Sequence, residues 1–246
     1  MAWPHLSKAP IHEALIDIQV KLAPDFPLAG LKEIQKQIAD RYPKTQERHR
    51  WEGKLEFSAG NAPTAASNAL GVDGYLFTSV DDREVVQMRL DGFTFSRLQP
   101  YQDWGTLRAE AKKLWDIYVV ATKPSIFRVA VRYTNVLKIP HPIGDLKDYL
   151  KSPPVIPAGI SANLTSFLNR LIVTESSVGA TAVITSALQS PPSPTEASVI
   201  LDIDVFKQAQ FDFDYAKAWV EIDGFQEIKN NVFFNSITKK TEEIYQ

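Results

Sequence analysis

Alternation of apolar and polar residues with a period of two recurs along this chain of 246 residues. Ile16, Ile18 and Val20, for example, are separated by polar side chains, and this period is typical of a strand that buries one face. Further strands are predicted over 48–57, 75–79, 84–90, 93–98, from 127 to the turn at 140–142, and over 168–175, 180–188 and 198–206. The Asp91–Gly92 pair predicts a tight turn, although Gly92 could instead mark a bulge within one long strand. So many half-buried strands require a large sheet.

A second pattern, apolar residues at three- and four-residue spacing, indicates helices. It predicts helices over 28–42, 104–121 and 214–233, and a short helix over 145–150. Asp103 stands where the second long helix needs an N-cap residue.

Strands and helices together predict an α+β fold, in which helices cover a large, mostly antiparallel sheet. The chain is expected to form a single compact unit, residues 1–246. The order strand, helix, several strands, helix occurs twice, which favours two similar halves of βαβββα type, residues 1–123 and 124–246.

Three segments are predicted to lie outside regular structure. Residues 58–71 are rich in Ala, Ser, Asn and Gly without periodicity, which is typical of an exposed loop. The Pro-rich tip at 190–194 is expected to stay out of the sheet, because proline has no N–H to donate. Residues 152–158, with three prolines, resemble a linker.

Composition narrows the classes of partner and compartment. Lys plus Arg (27) nearly cancel Asp plus Glu (29), so no overall field attracts the chain to nucleic acid or anionic lipid. The absence of cysteine excludes disulfides and thiol catalysis, and it suits a reducing compartment. No apolar stretch is long enough to span a membrane, and no signal-peptide pattern opens the chain. We expect a cytoplasmic protein with no membrane or nucleic-acid partner.

Sequence motifs of known catalytic sites are missing. The chain has no phosphate-binding loop, dinucleotide fingerprint or hydrolase nucleophile motif. Its four histidines are scattered without the spacing of a metal site. We therefore expect no cofactor, and a binding or interaction module rather than an enzyme.

Charged residues on strand faces supply the candidate site. Arg89, Arg128 and Arg132, with Thr134 beside them, could form a surface that binds a protein or an anionic small molecule. Asp202 and Asp204 share one face of a strand and could hold a divalent cation. With the arginines binding phosphate, they suggest an alternative function, a metal-dependent phosphohydrolase or nucleotide-processing enzyme with an Arg/Asp-lined cleft. The structural alternative is that these charges mark only the solvated face of a sheet.

The predicted C-terminal helix contains more large apolar groups than one buried stripe needs, among them Phe225, Phe233 and Phe234. Such a helix is either buried or docked on another chain. It could therefore contact a protein partner or a second copy of this chain, although core packing explains the same residues.

Several segments carry a resemblance to a known family. They are Leu6–Ile11, Glu13–Asp17, Arg89–Leu98, Arg128–Asn135, Leu201–Phe206 and Phe233–Thr238. In this order they resemble a sporadically distributed, functionally uncharacterised family of bacterial proteins about 250 residues long. The resemblance spans nearly the whole chain and implies a bacterial cytoplasmic protein. Its patchy distribution suits accessory roles such as defence or toxin neutralisation, and it transfers no catalytic residues.

Overall fold

A computed structural model describes residues 3–56, 64–140, 142–157, 159, 164–193, 195–212 and 214–246. Its strands are β1 (Ile11–Lys21), β2 (Lys44–Glu56), β3 (Thr64–Thr78), β4 (Glu84–Arg89), β5 (Gly92–Leu98), β6 (Ser125–Pro140), β7 (Phe167–Glu175), β8 (Ala180–Ser193) and β9 (Glu196–Asp212). Its helices are α1 (Leu28–Ile38), α2 (Trp104–Thr122), α3 (Tyr215–Ser236) and α4 (Lys239–Ile244), with a 3-10 turn at Leu146–Asp148.

The nine strands form one antiparallel sheet in the order β2-β3-β4-β5-β1-β6-β9-β8-β7. At its centre β1 pairs with β6, with Ile16 opposite Val131. This arrangement confirms the predicted α+β class with a large antiparallel sheet. In the described part of the chain, no helix combines the length and the apolar character needed to cross a membrane.

Helices α1, α2 and α3 pack on one face of the sheet. Helix α1 lies against β3, α2 against β5 and β1, and α3 against β6, β8 and β9. Side chains that alternate along each strand supply the contacts: Phe93 of β5, for example, meets Trp115 and Tyr118 of α2. The opposite side of the sheet is called the far face below. Because strand side chains alternate, the polar residues between the core positions point to this far face.

The predicted helix boundaries hold best where a cap is present. Asp103 accepts a hydrogen bond from the Thr106 amide at 2.8 Å and begins α2, as predicted. Helix α1 ends at Ile38 rather than at residue 42. Tyr42 instead turns into the core, where its hydroxyl donates to Glu84 at 2.9 Å.

Two predicted irregular segments are partly strand, which corrects the sequence prediction. Strand β3 begins at Thr64, inside the predicted loop 58–71, and pairs with β2; residues 57–63 lie outside the described residues. Strand β8 runs to Ser193, through most of the Pro-rich tip, and Ser193 pairs with Glu196 across a register shift; residue 194 lies outside the described residues. Backbone pairing in a hairpin does not require apolar periodicity, and a register shift accommodates residues without an N–H.

The Asp91–Gly92 turn joins two separate strands, β4 and β5. The prediction of a tight turn is confirmed, and the alternative of a bulge in one long strand is wrong. The opening strands of the two predicted halves, β1 and β6, lie side by side, and each pairs with the last strand of its own half, β5 or β9. Where the first half has α1, the described part of the second half has only the 3-10 turn before β7. The pseudo-duplication stays a prediction.

Candidate functional site

The residues predicted for the candidate site come together on the far face, across the central strands. Asp17 of β1 joins them at the centre. We call the set Asp17, Arg89, Arg128, Arg132, Asp202 and Asp204 the Arg–Asp ladder, because cation and carboxylate alternate along it.

Asp17 is the hub of the Arg–Asp ladder. It accepts from Arg89 Nη2 at 2.9 Å, from Arg128 Nη1 at 3.1 Å and from Thr94 Oγ1 at 2.7 Å. Arg128 continues to Asp204 at 3.3 Å and lies over the ring of Phe206, 4.4 Å from its centroid.

The outer end of the ladder is formed by Arg132 and Asp202. Arg132 Nε donates to Asp202 Oδ1 at 2.8 Å, and Thr134 Oγ1 donates to the same oxygen at 3.0 Å. Half of the Arg132 side chain is exposed, whereas Asp202 is largely covered. This pair lies nearest to solvent.

The electrostatics of the ladder are those of a closed ion-pair network. Burial opposes the charged form of Arg89, but the carboxylates of Asp17 and Asp91 outweigh it and raise its pKa. Burial raises the pKa of Asp204, and Arg128 and Arg132 only partly offset that rise. Each cation stabilises a carboxylate that would otherwise be costly to bury.

This pairing bears on the predicted ligands of the candidate site. Three guanidinium groups meet four carboxylates once Asp91, which binds Arg89 at 3.0 Å, is included. An incoming anion would have to displace one of these carboxylates. Asp202 and Asp204 already accept from arginines, and the described residues include no group of three or more His, Asp or Glu able to hold a metal ion. That the ladder binds a ligand stays a prediction.

A second polar site lies on the helix-covered side of the sheet, and sequence reasoning missed it. Lys229 of α3 is only 8% exposed and points toward β6, with Nζ 3.9 Å from the ring centroid of Tyr133. Its ammonium group donates a hydrogen bond to Asn230 Oδ1 at 2.7 Å. Among the residues that the structure describes, no carboxylate lies within ion-pair distance of Lys229.

Burial without a counter-ion lowers the pKa of Lys229 to about 8. A buried ammonium has lost its hydration, and without an acidic neighbour the protein returns little of that free energy. Lys229 nevertheless remains mostly charged at pH 7, since its pKa is still above that pH. The site therefore holds an ammonium group that forms no ion pair with any described residue.

Lys229 lines a cavity of about 250 Å³ between α3, the start of α2 and the N-terminal segment. The aromatic part of its wall includes Trp3, Tyr101, Trp104 and Phe234. Trp3 stacks on Phe234 with ring centroids 5.0 Å apart. A cavity of roughly 150 Å³ holds benzene, so this one has room for a single ring with a short side chain.

Polar residues also line the cavity, among them His5, Gln102, Gln226 and Asn230, and three others are engaged with the protein. Burial raises the pKa of Tyr101 to about 12, and its hydroxyl bonds to that of Tyr133 at 3.1 Å. Asn135 is buried and donates to Leu201 O at 2.9 Å. Asp103 is occupied as the cap of α2, and the hydrogen bonds from Thr106 lower its pKa. Lys229 is thus the one cavity-lining cation for which the described residues supply no anion.

One sequence signal could have revealed this lysine. The buried positions of α3 are Ala218, Trp219, Ile222, Phe225, Lys229 and Phe233. After Phe225 the helical period allows the stripe to continue through residue 228 or 229. The sequence favours Ile228 because it is apolar, yet in the structure Ile228 is half-buried and Lys229 is buried. A charged residue at a core position of an apolar stripe is the signal.

The aromatic side chains of the C-terminal helix are accounted for within the chain. Phe225 and Phe233 lie in the core, and Phe234 stacks under Trp3. Val220 is the strongly exposed large apolar residue of α3. Contact of this helix with a partner or a second copy stays a prediction.

In comparisons with known proteins, the chain matches no family model and no curated protein. The resemblance to the uncharacterised bacterial family stays a prediction.

Proposed function

We propose that this chain is a binding module for a small monocarboxylate with an aromatic or apolar body, which it takes into the Lys229 cavity. The proposal keeps the predicted class, a non-enzymatic module that binds an anionic small molecule. It moves the proposed site from the arginines of the far face to Lys229. The observation that carries it is a buried ammonium with no carboxylate partner among the described residues, on a lysine that lines a partly aromatic cavity.

Charge and size favour this class of ligand. A buried charge is strongly stabilised by an opposite charge that is also excluded from water. A single cation matches a singly charged carboxylate better than a phosphate dianion, because repulsion by Asp103 at the cavity grows with each negative charge of the ligand. The volume of about 250 Å³ lies below the 300–1,000 Å³ of sites for drug-sized molecules. These limits select one-ring carboxylates.

The catalytic alternative has less support. The proposed metal ligands, Asp202 and Asp204, already pair with Arg132 and Arg128. The absence of cysteine suits the cytoplasm, which we propose as the location, and we propose a bacterial origin from the resemblance alone. A role in defence or toxin neutralisation is a further expectation that no residue contact supports.

The test is isothermal titration with phenylacetate and with its neutral isostere phenylacetamide, on the wild type and on Lys229→Met. We expect the wild type to bind phenylacetate at least tenfold more tightly than the amide, about 1.4 kcal/mol. Lys229→Met should lose this preference while still binding the amide, because methionine keeps the shape of the wall but not its charge. Lys207→Met removes a lysine that pairs with Glu221 outside the cavity, and it is the matched control.

The pH profile makes the test sharper. Phenylacetate prefers the charged lysine, so its affinity should fall as pH rises through about 8, and binding near that pH should take up protons. Titrations in two buffers of different ionisation enthalpy measure that uptake. Equal affinity for acid and amide in the wild type, or acid binding that survives Lys229→Met, would overturn the proposal. Inorganic phosphate is expected not to compete.

A further inference from the structure

The two edge strands of the sheet have opposite character. In the described part of the chain, β2 forms one edge and β7 the other. Seven of the 13 residues of β2 are charged, and Lys44, Glu47 and Arg50 are exposed. Charged side chains along an edge discourage pairing with another sheet. Strand β2 thus has the composition of a protected edge.

Strand β7 lacks this protection. Only Arg170 and Glu175 of its nine residues are charged. Large apolar side chains are exposed on both of its faces: Leu168 and Ile172 (76% and 64% exposed) on the far face, and Leu171 and Val173 (49% and 46%) on the helix-covered face. An apolar strand of nine residues that pairs on only one side among the described residues invites strand addition.

We propose that β7 pairs antiparallel with β7 of a second copy of this chain, so that two nine-stranded sheets become one. A second copy is the occupant because the strand is complementary to itself. A two-fold axis perpendicular to the sheet keeps the helices of both copies on one side. It requires that two residues opposite each other both have even numbers or both have odd numbers, because such residues point to the same face. Pairing β7 with β2 of another copy would instead oppose apolar to charged residues and produce an open chain of subunits.

Polarity selects the register of this pairing. With the axis at Ile172, Ile172 opposes its own copy and Leu171 opposes Val173. Arg170 then opposes Thr174, and Asn169 opposes Glu175, so polar residues meet polar residues. With the axis at Leu171, Arg170 would oppose Ile172 and Asn169 would oppose Val173. The register centred on Ile172 therefore matches these side chains on both faces, while Leu168 falls opposite Ser176, beyond the end of the strand.

The absence of cysteine from the chain permits a direct test of this register. In the proposed pairing the two copies of residue 172 have Cα atoms about 5 Å apart, within disulfide range. Ile172→Cys should therefore form a disulfide-linked dimer under mild oxidation with copper phenanthroline. Leu168→Cys is the matched control, on the same face and similarly exposed. Its two copies would be about 27 Å apart, eight residues along the strands, and should not cross-link.

Sedimentation equilibrium tests the interface without covalent capture. The wild type should form a species of twice the chain mass, and Ile172→Lys should raise the dimer Kd at least about tenfold by placing like charges opposite each other. Val120→Lys, on the exposed side of α2, should leave Kd within about twofold. A wild type that stays monomeric up to about 1 mM would overturn the interface. Faster cross-linking of Leu171→Cys or Leu168→Cys than of Ile172→Cys would overturn the register.

Discussion

The two buried polar sites of this protein differ in how they compensate charge. In the Arg–Asp ladder on the far face, each arginine meets at least one carboxylate, and Asp17 serves two of them. In the cavity on the helix-covered side, Lys229 has an amide oxygen and an aromatic ring but no carboxylate among the described residues. One face of the sheet therefore buries cations that are paired with carboxylates, and the other face buries a cation for which the described part of the chain supplies none.

The difference teaches which site is structural and which is open to a ligand. A compensated network lowers the free energy of the folded state relative to its broken form, and it has no charge left to offer. An uncompensated buried cation costs stability, and that cost is recovered when an anion binds. A buried charge that is expensive for folding thus points to binding more strongly than a larger cluster that is already neutral.

The largest effect is expected from removing the hub of the ladder. Asp17→Asn should lower the free energy of unfolding by about 3–5 kcal/mol, because Arg89 and Arg128 would each lose a buried counter-ion. Urea denaturation measures the change. Asp91→Asn is the control: Asp91 binds the same arginine but is more than half exposed, so its loss should cost under about 1 kcal/mol. Equal losses in the two variants would show that the ladder is not organised around Asp17.

The pH dependence of stability should identify the uncompensated lysine. Its pKa is about 8 in the folded protein and 10.5 in the reference state. Between these values the unfolded chain binds more protons, so unfolding free energy rises with pH. The wild type should gain about 3 kcal/mol relative to Lys229→Met from pH 8 to above 10.5. Taking the difference between the two proteins removes the contribution that tyrosine titration makes to the pH dependence of both. A constant difference across this range would mean that Lys229 has an anionic partner in the folded state.

At pH 7, Lys229→Met should change the free energy of unfolding in the direction opposite to that of Asp17→Asn in the ladder. Lys229→Met should stabilise the protein by about 1–2 kcal/mol, since the gain from removing a buried charge exceeds the loss of its bond to Asn230. Thermal and urea unfolding both measure this. Lys207→Met, which breaks the pair with Glu221, should destabilise instead. Destabilisation by Lys229→Met would place Lys229 with the ladder as a structural cation.

The smallest effect is expected at the solvent-exposed end of the ladder. Arg132→Gln should change the free energy of unfolding by less than about 1 kcal/mol, because half of the Arg132 side chain is in water. The effect should shrink further at high salt, which screens exposed pairs. A loss as large as that of Asp17→Asn would mean that the far face is more strongly desolvated than its exposure indicates.

Much of the fold could be predicted from local pattern, and the failures have physical causes. Strands such as β1 alternate strictly because one face is buried, and α2 carries both its apolar stripe and the cap Asp103. Strand β3 was predicted only from Tyr75 onward. Its first residues are held by backbone pairing with β2, and pairing of this kind leaves no apolar alternation in the sequence.

The candidate site, too, could be predicted from the sequence only in part. The alternation placed Arg128, Arg132 and Thr134 on one face of a strand, and they do share the far face with Asp202 and Asp204. Their pairing required β1, β6 and β9 to be neighbours, which strand order alone decides. Asp17 was visible only as a polar residue between apolar ones, and its role as hub follows from the register with Thr94 and Ala130.

The sequence by itself determined the α+β class, the half-buried strands and the position of α2, because these depend on residues close together in the chain. It also determined the near-neutral charge, which depends on composition alone. Only the tertiary structure decided which charges are compensated. Whether a buried cation has a counter-ion depends on atoms from strands and helices far apart in sequence, such as Asp17 and Arg128, or Lys229 and Tyr133. Coulomb energy and desolvation act over a few ångströms of space, whatever the separation along the chain.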